Sequence, residues 1–181
     1  HSGGRCARRG RPATQKGWQM SRLHVPVPLR WADMDAYGHV NNVAVLRLLE
    51  EARIAVFWRH PEAADAGSWP TAVLDAGPGA ATHTVVGRNE IEYLQPIGYR
   101  RDPVTVELWI GRMGGASIDI CYEIVVEPPE LGQRIVAVRA QTTVVLLDAA
   151  SGRPRRISDS ERAAWEPYLD APVTWQRSQG R

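Results

Sequence analysis

Side chains able to do chemistry crowd into one short stretch of the chain, WADMDAYGHVNNVAVLRLLEEAR, at residues 31–53. A chain that only has to begin a helix needs one capping side chain and one acid in the first turn. Here six polar or turn-forming residues precede a helical pattern, and they are Asp33, Asp35, Gly38, His39, Asn41 and Asn42. The spacing predicts a site rather than a simple helix start.

The chemistry that this set could perform is acyl transfer to water. The first N–H groups of a helix have no intrahelical partners and carry partial positive charge, so they polarise a carbonyl and stabilise its tetrahedral oxyanion. Gly38 allows a substrate close to the backbone. Asp35 could deprotonate water or attack the carbonyl itself, His39 could orient it, and Asn41 or Asn42 could hold the water or the substrate.

A structural interpretation of each residue stays open, because aspartate and asparagine before a helix are ordinary caps and turn formers. The argument rests on the combination. Other chemistries lack their usual motifs, since the sequence contains no GxxxxGK[ST] or GxGxxG, no HExxH or paired cysteines, and no GxSxG. We therefore expect neither a metal site nor a cofactor.

A long helix must position these residues. From Asn42 onward an apolar stripe recurs at helical spacing, formed by Val45, Leu48, Leu49, Ala52 and Val56. Leu46, Ile54 and Phe57 widen it, which predicts a core helix enclosed on more than one side, ending before Pro61.

Alternating strand patterns surround the helix at 23–32, 82–94, 104–112, 117–127 and 135–148, and prolines place the first strand at a sheet edge. The last three are joined by short turns, which predicts an antiparallel meander. A short helix begins at Ser158, with Glu161 completing a capping box. We predict an α+β fold in which a curved antiparallel sheet wraps around one long central helix.

Composition favours one soluble, cytoplasmic domain without a membrane segment. The chain has 181 residues, 44% of them hydrophobic and 23% charged. Residues 1–19 hold five basic residues and no acid, leaving 17 basic against 20 acidic residues elsewhere. This arm could bind nucleic acid, but a disordered or non-native extension is the better interpretation. We expect a domain at 20–170, a flexible tail at 171–181, and no nucleic-acid partner.

The motif DMDAYGHVNNVAVLRLLEEAR resembles the signature of hot-dog-fold thioesterases of the 4-hydroxybenzoyl-CoA thioesterase type, and the block EIEYLQPI at 90–97 resembles their second strand. The resemblance implies hydrolysis of an acyl thioester by Asp35, with Asp33 structural. It also implies a homodimer or homotetramer with active sites at the subunit interface, and no cofactor beyond the CoA of the substrate.

Two departures leave the carrier open between CoA and acyl carrier protein. One bacterial branch has a histidine where this chain has Asn42, and the histidine here, His39, comes four residues after Asp35. That form is closer to plant-type acyl-ACP thioesterases, from which Tyr37 departs. We assign catalysis to Asp35 and His39, and substrate binding to Tyr37, Gly38, Val40, Asn41 and Asn42, with an oxyanion site at the amides of residues 40–42.

Further questions concern the rest of the substrate. Phosphates of a pantetheine-linked substrate could meet one of four arginines, Arg88, Arg100, Arg101 or Arg112, although each also fits an ordinary solvated side chain. The acyl pocket is expected between the helix, the loop at 67–80 and the partner subunit. Two alternatives of the same fold are an acyl-CoA-binding protein without activity and a hydratase, which fits less well because the D-x-N-P-x-H loop is missing.

Overall fold

The computed structural model describes residues 21–59, 69–127 and 132–176. Within these ranges, five strands, two helices and two short 3-10 turns follow one another. In order they are β1 (Leu23–Val27), a 3-10 turn (Trp31–Asp33), α1 (Asn42–Phe57), β2 (Thr82–Tyr93), β3 (Val104–Met113), β4 (Ser117–Val126), β5 (Ile135–Asp148), α2 (Asp159–Trp165) and a second 3-10 turn (Glu166–Tyr168).

The strands form one antiparallel sheet in the order β1-β3-β4-β5-β2. The meander of β3, β4 and β5 confirms the prediction from their short turns. The two strands nearest to α1 in sequence occupy the two edges, because β1 pairs with β3 and β2 pairs with β5. Pro26 is tolerated in β1 because that strand is an edge.

Helix α1 packs its apolar stripe into the sheet, and the predicted fold is confirmed. All five stripe residues are buried, together with apolar side chains from β3, β4 and β5. Burying a side chain such as Leu48 contributes about 1.5–3 kcal/mol to stability. Leu46 and Ile54, predicted to be enclosed, instead remain 38% and 42% exposed, because no element of the described chain covers that face of α1.

The ends of the elements follow local chemistry. Asn41 caps α1, its side-chain oxygen accepting a hydrogen bond from the Val43 amide at 2.9 Å. Ser158 and Glu161 form the predicted capping box of α2. The first strand ends at Val27 rather than at residue 32, since the chain turns there into the 3-10 turn.

Beyond α2 the chain returns to the outer face of the sheet. The indole N–H of Trp109 donates to the Ala171 carbonyl at 2.8 Å, and Val173 is 8% exposed. Ala171 and Val173 belong to the segment 171–181 predicted as a flexible tail. Its residues 177–181 lie outside the described residues, as does the basic arm at 1–19. Within the described ranges, no helix is both long and apolar enough to cross a membrane.

Candidate active site

A tight loop holds Asp35 just before α1. The Asp35 amide donates to the His39 carbonyl at 2.7 Å, and the Gly38 amide donates to the Asp35 carbonyl at 3.2 Å. Gly38 has φ 78°, in the left-handed region that side chains disfavour, so the loop needs glycine at this position. The loop is thus closed by its own backbone.

The same loop holds the Asp35 carboxylate. Its Oδ1 accepts hydrogen bonds from the amides of Tyr37 at 2.8 Å and His39 at 3.0 Å. The hydrogen bond from the His39 amide is the main reason that the pKa of Asp35 lies below its usual value, and the Tyr37 amide adds to it. The carboxylate is therefore ionised at neutral pH. No residue of the described chain donates a hydrogen bond to its second oxygen, Oδ2.

Asp33 has a different environment although it lies only two residues away. It is 2% exposed and forms ion pairs with Arg30 at 3.0 Å and Arg47 at 2.6 Å. Burial alone would raise the pKa of Asp33, but hydrogen bonds from Arg30 and the charge of Arg47 outweigh it and lower the pKa. Because Arg47 lies on α1, Asp33 ties the preceding turn to the helix, as expected of a structural residue.

A cavity of about 270 Å³ opens at the N-terminal end of α1. It brings together four of the predicted site residues, Asp35, His39, Val40 and Asn42. Its other walls come from Val45, the end of β2, the segment after it and β5, through Tyr93, Leu94, Gln95, Pro96, Ile97 and Val138. The carboxylate and the start of the helix therefore border one space.

The remaining predicted residues lie outside the lining of this cavity. Tyr37 is 86% exposed, Gly38 shapes the loop, and the Asn41 side chain caps α1. Their placement gives Gly38 and Asn41 structural roles that position Asp35 and the helix.

Of the three backbone amides expected to form the oxyanion site, those of residues 40–42, two already donate hydrogen bonds within the protein. The Val40 amide donates to the Ile97 carbonyl and the Asn41 amide to the Asp33 carbonyl, both at 2.8 Å, so neither can bind an oxyanion. Sequence patterns could not show this, because both acceptors come from outside the helix. The Asn42 amide has no acceptor among the described residues, and Asn42 borders the cavity.

Tyr93 is a site residue that sequence reasoning missed. Its hydroxyl donates to the Asn42 carbonyl at 3.1 Å, and its ring lines the cavity. Burial raises the pKa of Tyr93, so the hydroxyl stays protonated at neutral pH. The signal was its place in the EIEYLQPI block at 90–97, three residues before Pro96 ends the strand pattern.

A second cavity of about 400 Å³ lies beside the C-terminal half of α1 and the opposite end of β2. Its walls mix apolar and charged groups: Glu50, Arg53, Ile54, Trp58, Arg59, Ala76, Thr84, Val86 and Val144. The helix and the loop that contributes Ala76 are two of the walls expected for an acyl pocket.

Other nucleophile and metal chemistry gains no support from the described residues. Burial raises the pKa of the Cys121 thiol to about 11, so the thiol is protonated at neutral pH. In the ranges that the structure describes, no group of three or more histidine, cysteine, aspartate or glutamate side chains could hold a metal ion.

Comparisons with known proteins agree with this geometry. Residues 29–165 match the family described as the thioesterase-like superfamily. No curated protein matches the sequence. Among solved structures, PA2801, a thioesterase candidate from Pseudomonas aeruginosa, is 32% identical over 80% of this chain and 97% of its own, with a TM-score of 0.58.

Two further structures link the fold to coenzyme A. A thioesterase from Thermus thermophilus in complex with coenzyme A and zinc is 26% identical, with a TM-score of 0.59, over 85% of this chain and 98% of its own. An acyl-CoA thioesterase candidate from Xanthomonas campestris is 26% identical, with a TM-score of 0.52, over 70% of this chain and 93% of its own. Because the family match covers α1, the loop before it and strands β2 to β5, the chain belongs to the thioesterase-like superfamily.

Proposed function

We propose that the protein hydrolyses acyl-CoA to the free acid and CoA, with Asp35 as general base or nucleophile. One observation carries this proposal: an ionised carboxylate, whose Oδ2 accepts no hydrogen bond from the described residues, shares a cavity with the start of a buried helix. The coenzyme A bound by the Thermus relative supports the carrier.

In the simplest route, Asp35 removes a proton from water while the water oxygen attacks the thioester carbon. The resulting oxyanion accepts a hydrogen bond from the Asn42 amide and is stabilised by the helix dipole. The C–S bond then breaks, the sulfur leaves as a thiolate, and Asp35 returns the proton to it. His39 borders the same cavity, where it can orient the water.

In the second route, Asp35 Oδ2 attacks the thioester carbon directly and expels the thiolate, forming a mixed anhydride that water cleaves. A single turnover in oxygen-18 water tests for the anhydride. Label in the peptide that contains Asp35 requires an anhydride cleaved at the aspartyl carbon, whereas label only in the released acid is expected both for general-base catalysis and for an anhydride cleaved at the acyl carbon.

The exposed edge of β2 leads us to propose a homodimer. This strand of 12 residues pairs with β5 on one side only, and no strand of the described chain covers the other. Apolar side chains beside that edge stay exposed, namely Val43, Leu46, Ile54, Val85 and Val86. A second copy that adds its β2 antiparallel would cover both the edge and this face of α1.

Such pairing also supplies an acyl pocket. In an antiparallel pair the Tyr93 end of one β2 lies beside the Thr82 end of the other. The cavity of about 400 Å³, bordered by Thr84 and Val86, then lies next to the cavity that holds the partner's Asp35. Replacing Leu46 with glutamate should yield monomers in sedimentation analysis and reduce turnover, whereas a monomeric wild type would contradict the dimer.

Thiol release from a panel of short, long and aromatic acyl-CoAs, together with acyl carrier protein thioesters, tests the activity. Asp35→Asn is expected to lower turnover by about 2 to 4 orders of magnitude, the range for a positioned base. Asp159→Asn is the matched control, because it removes one exposed carboxylate at the start of α2. An Asp35→Asn variant with wild-type turnover would overturn the assignment, and binding of acyl-CoA without hydrolysis would favour a non-catalytic protein.

A further inference from the structure

An exposed aromatic pair flanks, in sequence, residues of the candidate active site. The rings of Trp31 and Tyr99 meet edge to face at 5.0 Å, and their side chains are 74% and 44% exposed. Trp31 is close to Asp35 in sequence, and Tyr99 follows Gly98, which pairs with His39. Large aromatic surfaces exposed beside a catalytic cavity are a platform on which a planar ring can stack.

Of the four arginines considered as phosphate ligands, two form ion pairs with described residues and two do not. Arg88 forms an ion pair with Glu90, and Arg112 forms one with Asp119, each at 2.7 Å. Arg100 and Arg101 form no ion pair or side-chain hydrogen bond with any described residue, and they come directly after Tyr99. The two uncommitted guanidinium groups are thus the ones beside the aromatic pair.

Position along the chain links this group to Asp35. The Val40 amide donates to the Ile97 carbonyl at 2.8 Å, and both residues line the cavity. The segment 97–101 therefore begins at the cavity wall. At about 3.3 Å per residue, Arg100 lies within roughly 10 Å of Ile97 along the backbone. A ligand whose reactive end enters the cavity can therefore carry its distal end across this rim.

We propose that Trp31, Tyr99, Arg100 and Arg101 form the binding site for the nucleotide end of CoA, a 3′-phosphoadenosine diphosphate. This CoA rim stacks the adenine on an aromatic face, and the guanidinium forks hold phosphate oxygens. The inference rests on the proposed thioesterase function and selects CoA as its carrier. Asp102 offsets one of the two charges, so the fork geometry of the arginines matters more than the net charge.

A direct binding measurement tests the rim without turnover. Isothermal titration with CoA and with adenosine 3′,5′-bisphosphate should show binding to the wild type. The variant Arg100→Ala/Arg101→Ala should weaken both by about tenfold or more, the effect of losing charge-assisted hydrogen bonds. Trp31→Leu should weaken both by about fivefold through lost stacking.

A matched double variant controls for loss of charge. Arg153 and Arg156 are exposed and have no ion pair with a described residue. They follow β5 at its far end, about 30 Å along that strand from the cavity residue Val138. Arg153→Ala/Arg156→Ala should bind both ligands like the wild type, and an equal loss in the two double variants would overturn the proposal.

Kinetics with a truncated substrate separate the rim from catalysis. The rim variant should raise KM for acyl-CoA about tenfold with kcat unchanged, and leave KM for the matching acyl-pantetheine unaltered. Equal KM values of the wild type for both substrates would refute the rim while leaving hydrolysis by Asp35 intact. If the rim variant loses turnover only with the acyl carrier protein thioester, and the wild type does not bind the nucleotide, the rim is refuted and a protein carrier is favoured.

Discussion

Asp33 and Asp35 are the same residue type, two positions apart, in opposite environments. Asp33 is buried and both of its oxygens are held by arginines, whereas Asp35 is partly exposed and only one of its oxygens is hydrogen-bonded. Both have a lowered pKa, for different reasons: Arg30 and Arg47 in one case, and two backbone amides in the other. A lowered pKa therefore does not by itself distinguish a structural carboxylate from a candidate catalytic one, and the two differ instead in burial and in contact with the cavity.

The largest expected effect separates the two residues by activity. Asp35→Asn should reduce kcat by about 2 to 4 orders of magnitude while leaving the midpoint of thermal unfolding within a few degrees of wild type. Thiol-release kinetics and calorimetry on the same samples check this. A variant that loses stability instead of turnover would assign Asp35 the role of Asp33.

The converse experiment removes the buried carboxylate. Asp33→Ala leaves the Arg47 guanidinium without its buried partner and should lower the free energy of unfolding by about 3 kcal/mol. Urea denaturation measures the change, and activity per folded molecule should fall much less than in Asp35→Asn. Unchanged stability would show that Arg47 finds enough compensation in its contact with Glu51.

The loop at residues 35–39, which begins at Asp35, can be strained without changing either carboxylate. Gly38→Ala forces a side chain into the left-handed region at φ 78°, at a cost of about 1 kcal/mol. We expect roughly tenfold lower turnover, because the amide hydrogen bonds that aim Asp35 would shift. Gly152→Ala, at φ 67° in the distant turn after β5, is the control and should leave turnover near wild type.

The smallest effect concerns pH. Since the pKa of Asp35 is lowered, kcat/KM should stay flat from neutral pH down to about pH 4, the usual aspartate pKa. Folding lowers the pKa of both Asp33 and Asp35. The stability that these carboxylates contribute is therefore present above their unfolded pKa and is lost as pH falls through their folded pKa. An acid limb well above pH 4 would contradict a carboxylate with a lowered pKa as the essential base.

Much of the fold was readable from local patterns. The stripe from Val45 to Val56, the period of the strands and the capping box of α2 depend on neighbours within a few residues, and the structure confirms them. The limits of β5 agree with the predicted span at both ends. Local periodicity and capping chemistry suffice for such features.

Long-range contacts account for the features that sequence reasoning missed. The position of β2 at the far edge, the engagement of the Val40 amide by Ile97 and the contact of Tyr93 with Asn42 all join segments distant in sequence. The exposure of Leu46 differs from the prediction for another reason: no element of the described chain covers that face of α1.

The self-closed loop around Asp35 holds the carboxylate independently of the cavity proposed as the acyl pocket. Its hydrogen bonds are internal to residues 35–39, and the cavity of about 400 Å³ has walls on other elements. Under the proposed function, substitutions at Ile54 or Val86 should therefore change the preferred acyl group without displacing the Asp35 carboxylate. The proposed reaction and the proposed choice of acyl chain would then be separable in redesign of substrate preference.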